Sequence, residues 1–315
     1  ADSAVTSALS GYKAESIAAE IGFDVKVIRD LATKLWSARG QSLVVGGGVS
    51  TRTADSRGLQ AVVNLLNSAL ENEGKTVDGT ALFATRRGAG FGGVAKLIQE
   101  MKAGQVDLLI IAGTNPCYTL SGLGFEAALA KVGMVVVSTL TANETSRCAD
   151  WVYGDLHFLE NWGDAQVRKG IVSLQQPVIA PIHAGTRGFE ESLLAWLGRK
   201  DLWHDYLKES WKQGVFKESG AVAGFEFFWE SALRDGVVDL YAARGAKPTA
   251  QVRSFKSAVM QAVPKYLGRS NDSLTLSVYP MIAMHDGAQA GNAWLQEMPD
   301  PVSTVTWDNF LNVGP

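Results

Sequence analysis

Three short segments of the 315-residue chain concentrate the residue types that meet phosphates and nucleobases: GGGVST at 46–51, GTNPCY at 113–118 and STLTANET at 138–145. Glycine lets a ligand approach backbone amides, while Ser, Thr and Asn side chains donate and accept hydrogen bonds. Each segment follows a run of apolar, β-forming residues, and in an open α/β sheet ligands lie beyond the carboxyl ends of the strands. Turn and N-cap chemistry explains each loop taken singly. Three of them interleaved with apolar strands describe a nucleotide-type crevice.

A second pattern lies in RRGAGFGG, where Gly88, Gly90 and Gly93 fit G-x-G-x-x-G between a short strand and a helix. Such a loop aims backbone N–H groups and a helix N-terminus at a pyrophosphate. The acid expected at the end of the following strand is missing, because DLLIIAG runs into Thr114 and Asn115. Arg86 and Arg87 could instead receive a phosphate, so an NADP-binding dehydrogenase stands as one alternative and a glycine-rich loop without a ligand as another. The carboxylates Glu144, Asp150, Asp155, Glu160 and Asp164 show no spacing that would set up an acid/base pair with divergent pKa values. No G-x-S-x-G nucleophile elbow is present.

Metal chemistry within the chain is not expected. The four histidines, His157, His183, His204 and His285, are dispersed, with no HExxH spacing. Two cysteines, Cys117 and Cys148, exclude a disulfide scaffold, a four-thiolate zinc site and an internally ligated iron–sulfur cluster. Their spacing leaves open whether they pair with each other.

The elements that must position these loops follow from periodicity. Val25, Ile28, Leu31, Leu35 and Trp36 fall at helical spacing behind Asp24 as N-cap, and Leu59, Val62, Val63, Leu66 and Leu70 form a second such face. Strands are expected at 80–84, 107–113 and 134–138, and helices at 93–103 and 124–133. Near-continuous apolar strands alternating with amphipathic helices require a parallel sheet covered on both faces. The fold class is therefore α/β, a doubly wound, mostly parallel, Rossmann-like sheet over residues 1–180. After the proline-containing stretch QQPVIAPIHAG, residues 181–315 read as a mainly helical region. It carries helical patterns at 188–198, 200–213, 225–235 and 251–265 and returns to strand at 274–280. Its Trp and Phe residues are expected to be packing surface.

Composition bounds the rest. With 46% hydrophobic and 19% charged residues and a formal charge of −3, the chain is neither disordered nor a nucleic-acid binder with a basic stripe. No apolar run approaches the roughly 20 residues of a membrane helix. The first residues, ADSAVTSALSGYK, have neither the basic nor the apolar region of a signal peptide. Both ends look cut from something longer.

The order of the loops carries a resemblance. LIQEMKAGQVDLLIIAGTNPCYTLS, followed by VVVSTLTANETSRCADWVYGDLHFLENWGD, resembles the molybdopterin oxidoreductase (dimethyl sulfoxide reductase) family over roughly residues 11–180. In catalytic members of that family, loops matching Gly46, Gly47, Gly113, Thr114, Asn115, Pro116, Ser138, Thr139, Glu144 and Thr145 line the site for the guanine dinucleotide arm of the molybdenum cofactor. The sequence departs from them in ADWVYGDLHFLENWGDAQVRKGIVSLQQPVI, which lacks the family's LP and EGR-like elements. FLENWGDA, SLQQPVIAP and NAWLQEMPDPVSTVTWDN are similar to one branch, the large iron–sulfur subunit of alternative complex III and related respiratory complexes. The resemblance implies a non-catalytic scaffold domain with no cofactor in this chain. It places iron–sulfur ligands before Ala1 and after Pro315, and the other subunits of a membrane-bound redox complex as partners. It also implies a periplasmic or outer-face location without direct membrane insertion. The alternative within the family is a fragment of a catalytic molybdenum enzyme whose same loops bind molybdopterin guanine dinucleotide.

Overall fold

A computed structural model describes residues 9–48, 51, 56–78, 88–243, 277–287 and 289–313. The expected strand at 80–84, the arginines Arg86 and Arg87, the helix at 251–265 and residues 274–276 lie outside the described residues, while 277–280, the described part of the strand expected at 274–280, form no strand. The chain forms two compact units, Ala1–Ala81 with Pro248–Tyr279 and Leu82–Lys247 with Pro280–Pro315.

The first unit contains α1 (Ala14–Ile21), α2 (Val25–Ser37) and α3 (Ser56–Ala69). Asp24 caps α2 as its position predicts, accepting the Lys26 N–H at 2.8 Å. The run before the glycines, 42–46, lies along α3 and joins no sheet among the described residues. Asn67 of α3 substitutes for a neighbouring strand there: its Oδ1 accepts the Val44 N–H at 3.0 Å and its Nδ2 donates to the Val44 carbonyl at 2.8 Å. Both backbone polar groups of the half-buried Val44 are satisfied by one side-chain amide.

The second unit is α/β. It begins with α4 (Phe91–Lys102) and a three-stranded parallel sheet in the order β1 (Leu108–Ala112), β2 (Met134–Thr139), β3 (Trp151–Gly154). Register pairs Ala112 with Ser138 and Ser138 with Tyr153, so the three carboxyl ends are level. The connections contain α5 (Pro116–Thr119) and α6 (Phe125–Leu129) after β1, and α7 (Glu144–Arg147) after β2. One sheet face, Ile111, Val135 and Val137, is buried against Ile98 and Met101 of α4 and Phe125, Ala128 and Leu129 of α6. At roughly 1.5–3 kcal/mol per buried apolar side chain, this layer is the main source of cohesion around the strand ends. The other face meets α8 (Phe189–Trp196) at β3, where Tyr153 and Trp196 pack edge to face, while Leu108, Ile110, Met134 and Trp151 stay exposed.

Beyond the parallel sheet, a second, antiparallel one forms in the order β4 (Gly163–Arg168), β5 (Ile171–Gln175), β6 (Val237–Asp239). The hairpin turns at Gly170, whose φ of +81° favours glycine and which lies under the Tyr241 ring. Periodicity does not announce these strands, because β4 reads GDAQVR, with most of its side chains in solvent. α9 (Trp203–Trp211) and α10 (Phe225–Asp235) cover this sheet and bury Val172, Leu207, Trp211, Trp229 and Ala232. The expected Trp/Phe packing surface is this cluster. The Trp211 indole N–H donates to Asp164 at 2.8 Å, and that of Trp203 to the Trp162 carbonyl at 2.7 Å. α11 (Leu240–Ala243) and α12 (Ala293–Glu297) complete the unit. Among the described residues, no helix is long and apolar enough to cross a membrane.

Candidate functional site

The level strand ends bring Gly113, Thr114, Asn115, Pro116, Ser138, Thr139, Glu144 and Thr145 to one edge of the parallel sheet, as the loop order predicts. Gly113 (φ +61°) turns the chain out of β1, and its N–H still donates to the Ser138 carbonyl at 3.1 Å. The ladder continues on the other side, where the Asp155 N–H donates to the Thr139 carbonyl at 3.1 Å.

Asn115 is the centre of this edge. Its Nδ2 donates to Glu144 Oε2 at 2.6 Å, and its Oδ1 accepts from the Thr145 N–H at 3.2 Å and the Thr145 hydroxyl at 2.8 Å. Thr145 is fully buried, and its Oγ1 in turn accepts the Cys117 N–H at 3.0 Å. The loops after β1 and β2 are thus joined through one amide. The Asn115 amide, together with Glu144's own backbone N–H, holds the Glu144 carboxyl below the usual carboxylate range.

The other hydroxyls at the edge are also engaged. Ser138, fully buried, donates to Asp155 Oδ2 at 2.9 Å, while Asp155 Oδ1 accepts the N–H groups of Leu156 and Phe189 at 2.8 and 3.1 Å. Thr139 donates to the Thr141 carbonyl at 2.9 Å and accepts from Asn143 Nδ2 at 3.2 Å. Asn143 and Ser146 cap α7 reciprocally, at 2.9 Å from the Ser146 N–H and 2.8 Å from the Asn143 N–H. α5 opens on Pro116, which has no N–H. The amides that would greet an anion at the two short helices are therefore occupied or absent.

Charge points the same way. Residues 113–116 and 138–146 contain no Lys or Arg, while Glu144 and Asp155 stand at the edge. A dinucleotide's diphosphate needs cations or unspent N–H groups. The one basic residue of 113–119 and 138–147, Arg147, already acts on Glu144, and the first-turn amides of both short helices are engaged or absent, so the fit to that group is poor. Beside Asp155 lies a cavity of about 420 Å³, lined also by Phe158, Asn161, Trp162, Asp164 and Glu190. Its carboxylates make it unsuited to an anion as well. Residues 281–287 pack near the edge, with Gly287 (φ +81°) seated under the Tyr118 ring.

Gly46 and Gly47 belong to the first unit. Gly46 has a packing reason to be glycine: a Cβ there would stand 2.7 Å from Val63 Cγ2, and its carbonyl accepts Gln60 Nε2 at 2.8 Å. Gly90 is the N-cap of α4, and Gly88 precedes it in a bend. The remaining carboxylates separate. Asp150 accepts the Val135 N–H at 2.7 Å at the opposite end of β2. Glu160 accepts the N–H groups of His157 and Ile182, at 2.8 and 2.7 Å. Among the described residues, no group of three or more His, Cys, Asp or Glu could hold a metal ion.

Asn143 and the edge position of Asp155 escape a reading of sequence alone. The signal for Asn143 was its N-cap pattern N-E-T-S. That for Asp155 was the short apolar run WVY before it. The sequence matches no protein-family model and no curated protein.

Proposed function

We propose that the chain is part of the large iron–sulfur subunit of a membrane-associated respiratory electron-transfer complex, of the molybdopterin oxidoreductase-like kind. In this reading its α/β unit is a scaffold that holds no cofactor and performs no chemistry, and its partners are the other subunits of the complex. The electron carriers belong to other parts of that subunit, and the complex acts at the outer face of the membrane.

The observation that carries the scaffold reading is the closed network at the strand ends. Asn115, Ser138, Thr139 and Thr145, the side chains a guanine dinucleotide would contact in catalytic relatives, are committed to Glu144, Asp155, Thr141 and one another. A ligand would have to replace charge-assisted and buried bonds, each worth roughly 1–3 kcal/mol, before gaining any. The second reading, a fragment of a catalytic molybdenum enzyme, is favoured by the convergence of the same loops on one edge.

Elemental analysis for molybdenum and tungsten, with pterin fluorescence after oxidative release, separates the two on the intact protein. The scaffold reading expects neither metal nor pterin above trace. Stoichiometric metal with pterin overturns it.

A further inference from the structure

The chain's two cysteines sit in the two loops that form the candidate edge, and the fold brings them together. Cys117 is the second residue of α5, and Cys148 is the C-cap of α7. Both backbones are tied to the same residue: the Cys117 N–H donates to Thr145 Oγ1 at 3.0 Å and the Cys148 N–H to the Thr145 carbonyl at 3.1 Å. The Cys148 thiol stands 3.8 Å from Glu126 Oε1 and is near enough to Cys117 to feel that thiol. Both thiols are free, Cys117 buried in the core and Cys148 exposed. One is therefore open to a reagent and the other is positioned behind it.

We propose that Cys117 and Cys148 are a reactive dithiol that closes to an intrachain disulfide, a redox latch across the loops following β1 and β2, with a low-molecular-weight disulfide such as oxidised glutathione as oxidant. The Cys148 thiolate attacks one sulfur of glutathione disulfide, forming a mixed disulfide and expelling one glutathione thiolate. The Cys117 thiolate then attacks Cys148 Sγ, forming the protein S–S bond and expelling the second. The two protons lost by the cysteines end on the two glutathiones, and the two electrons that reduce the oxidant come from the two protein sulfurs. Burial, with Cys117 and Glu126 alongside, pushes the Cys148 thiol up, so the first step is slow. The second is intramolecular, between groups already side by side, and outcompetes a second glutathione.

The latch is independent of whether the unit is a scaffold or binds a cofactor. Asn115 lies two residues before Cys117, and Thr145 and Glu144 lie one turn before Cys148, so the disulfide would make permanent the joint that Asn115 makes by hydrogen bonds.

The test incubates the intact protein in glutathione redox buffers, quenches with acid, alkylates under denaturing conditions and maps peptides by mass. The expected product is the linked Cys117–Cys148 peptide, in at least about 10-fold excess over glutathione adduct. It should be reversed by dithiothreitol, and its unfolding midpoint should lie above that of the reduced protein. Cys117→Ser should stop at a glutathione adduct on Cys148. A wild-type end product that is the Cys148 adduct or an interchain dimer overturns the proposal. So does a linked form that appears as readily in urea-unfolded protein as in folded protein.

Discussion

Replacing Asn115 by alanine tests whether one amide holds the two strand-end loops together. The substitution removes the acceptor of the Thr145 N–H and of its fully buried hydroxyl, and the donor to Glu144. Leaving buried donors unsatisfied costs about 1–3 kcal/mol each, less where the hydroxyl can rotate to another acceptor, so the Thr145 contacts alone predict a loss of about 2–3 kcal/mol. Urea unfolding should show this as a lower midpoint at unchanged slope. If the loss is local, amide exchange at Thr145 and Cys117 should accelerate by about 30-fold or more, the equivalent of 2 kcal/mol. In a double-mutant cycle with Thr145→Val, the coupling should be about 1–2 kcal/mol. Asn115→Asp supplies a control of opposite electrostatic sign. It keeps an acceptor for Thr145 but sets a second carboxylate at hydrogen-bond distance from Glu144, and two carboxylates so placed cannot both ionise without penalty. In the wild type, the depressed Glu144 pKa contributes stability above the ordinary carboxylate pKa that is lost as pH falls through the folded value. In Asn115→Asp the pair holds a proton more tightly than the unfolded chain does, so stability should rise as pH falls from neutrality. A cost below about 0.5 kcal/mol for the alanine variant, or no change in pH slope for the aspartate variant, refutes the network as the joint.

Two further perturbations follow from the same geometry. The N–H groups of Ile182 and His157 hold the Glu160 carboxyl below its usual range. Its stabilising effect is therefore present above the unfolded carboxylate pKa and lost as pH falls through the folded value, so Glu160→Gln should flatten the acid limb of melting temperature against pH. Gly46→Ala would drive a Cβ to 2.7 Å from Val63 Cγ2. It should cost about 1–3 kcal/mol by calorimetry, and Val63→Ala in the same chain should recover part of that loss, an outcome that a purely ligand-binding role for Gly46 does not produce.

What was legible in the sequence had a period or a cap. The segment from Asp24 carries both and is α2, and the apolar runs LLIIA and MVVVST are β1 and β2. The helical pattern at 225–235 is α10 residue for residue. β3 to β6 were not legible, for a physical reason. They are three to six residues long; β3 is fixed by its parallel pairing with β2, and β4 places polar side chains on both faces, so the pairing of β4 to β6 is decided by the Trp211 and Trp229 core beneath β5 and β6 and not by their own alternation. The site divides in the same way. That the loops end at one sheet edge follows from strand order. That Asn115 closes on Glu144 and Thr145 does not, because Asn before Pro and Glu after Asn are ordinary cap residues at both places and only the level register of β1 and β2 makes them neighbours.

That distinction decides how much the loop order can bear as an argument for a cofactor. Residue types such as Asn, Ser and Thr serve equally to bind a ligand and to bind each other, and a string of letters cannot separate the two uses. Geometry can, by asking where each donor and acceptor goes. At this edge they go inward: Ser138 to Asp155, Thr145 to Asn115, Asn115 to Glu144, Asn143 to the first turn of α7. Glu144 and Asp155 set carboxylates at the edge, which repel a diphosphate, and the nearby cation Arg147 already acts on Glu144. An edge built to receive an anion would invert that arrangement, with cations outward and carboxylates elsewhere. The same loops instead form a self-satisfied joint, and that is the arrangement the proposed scaffold role calls for.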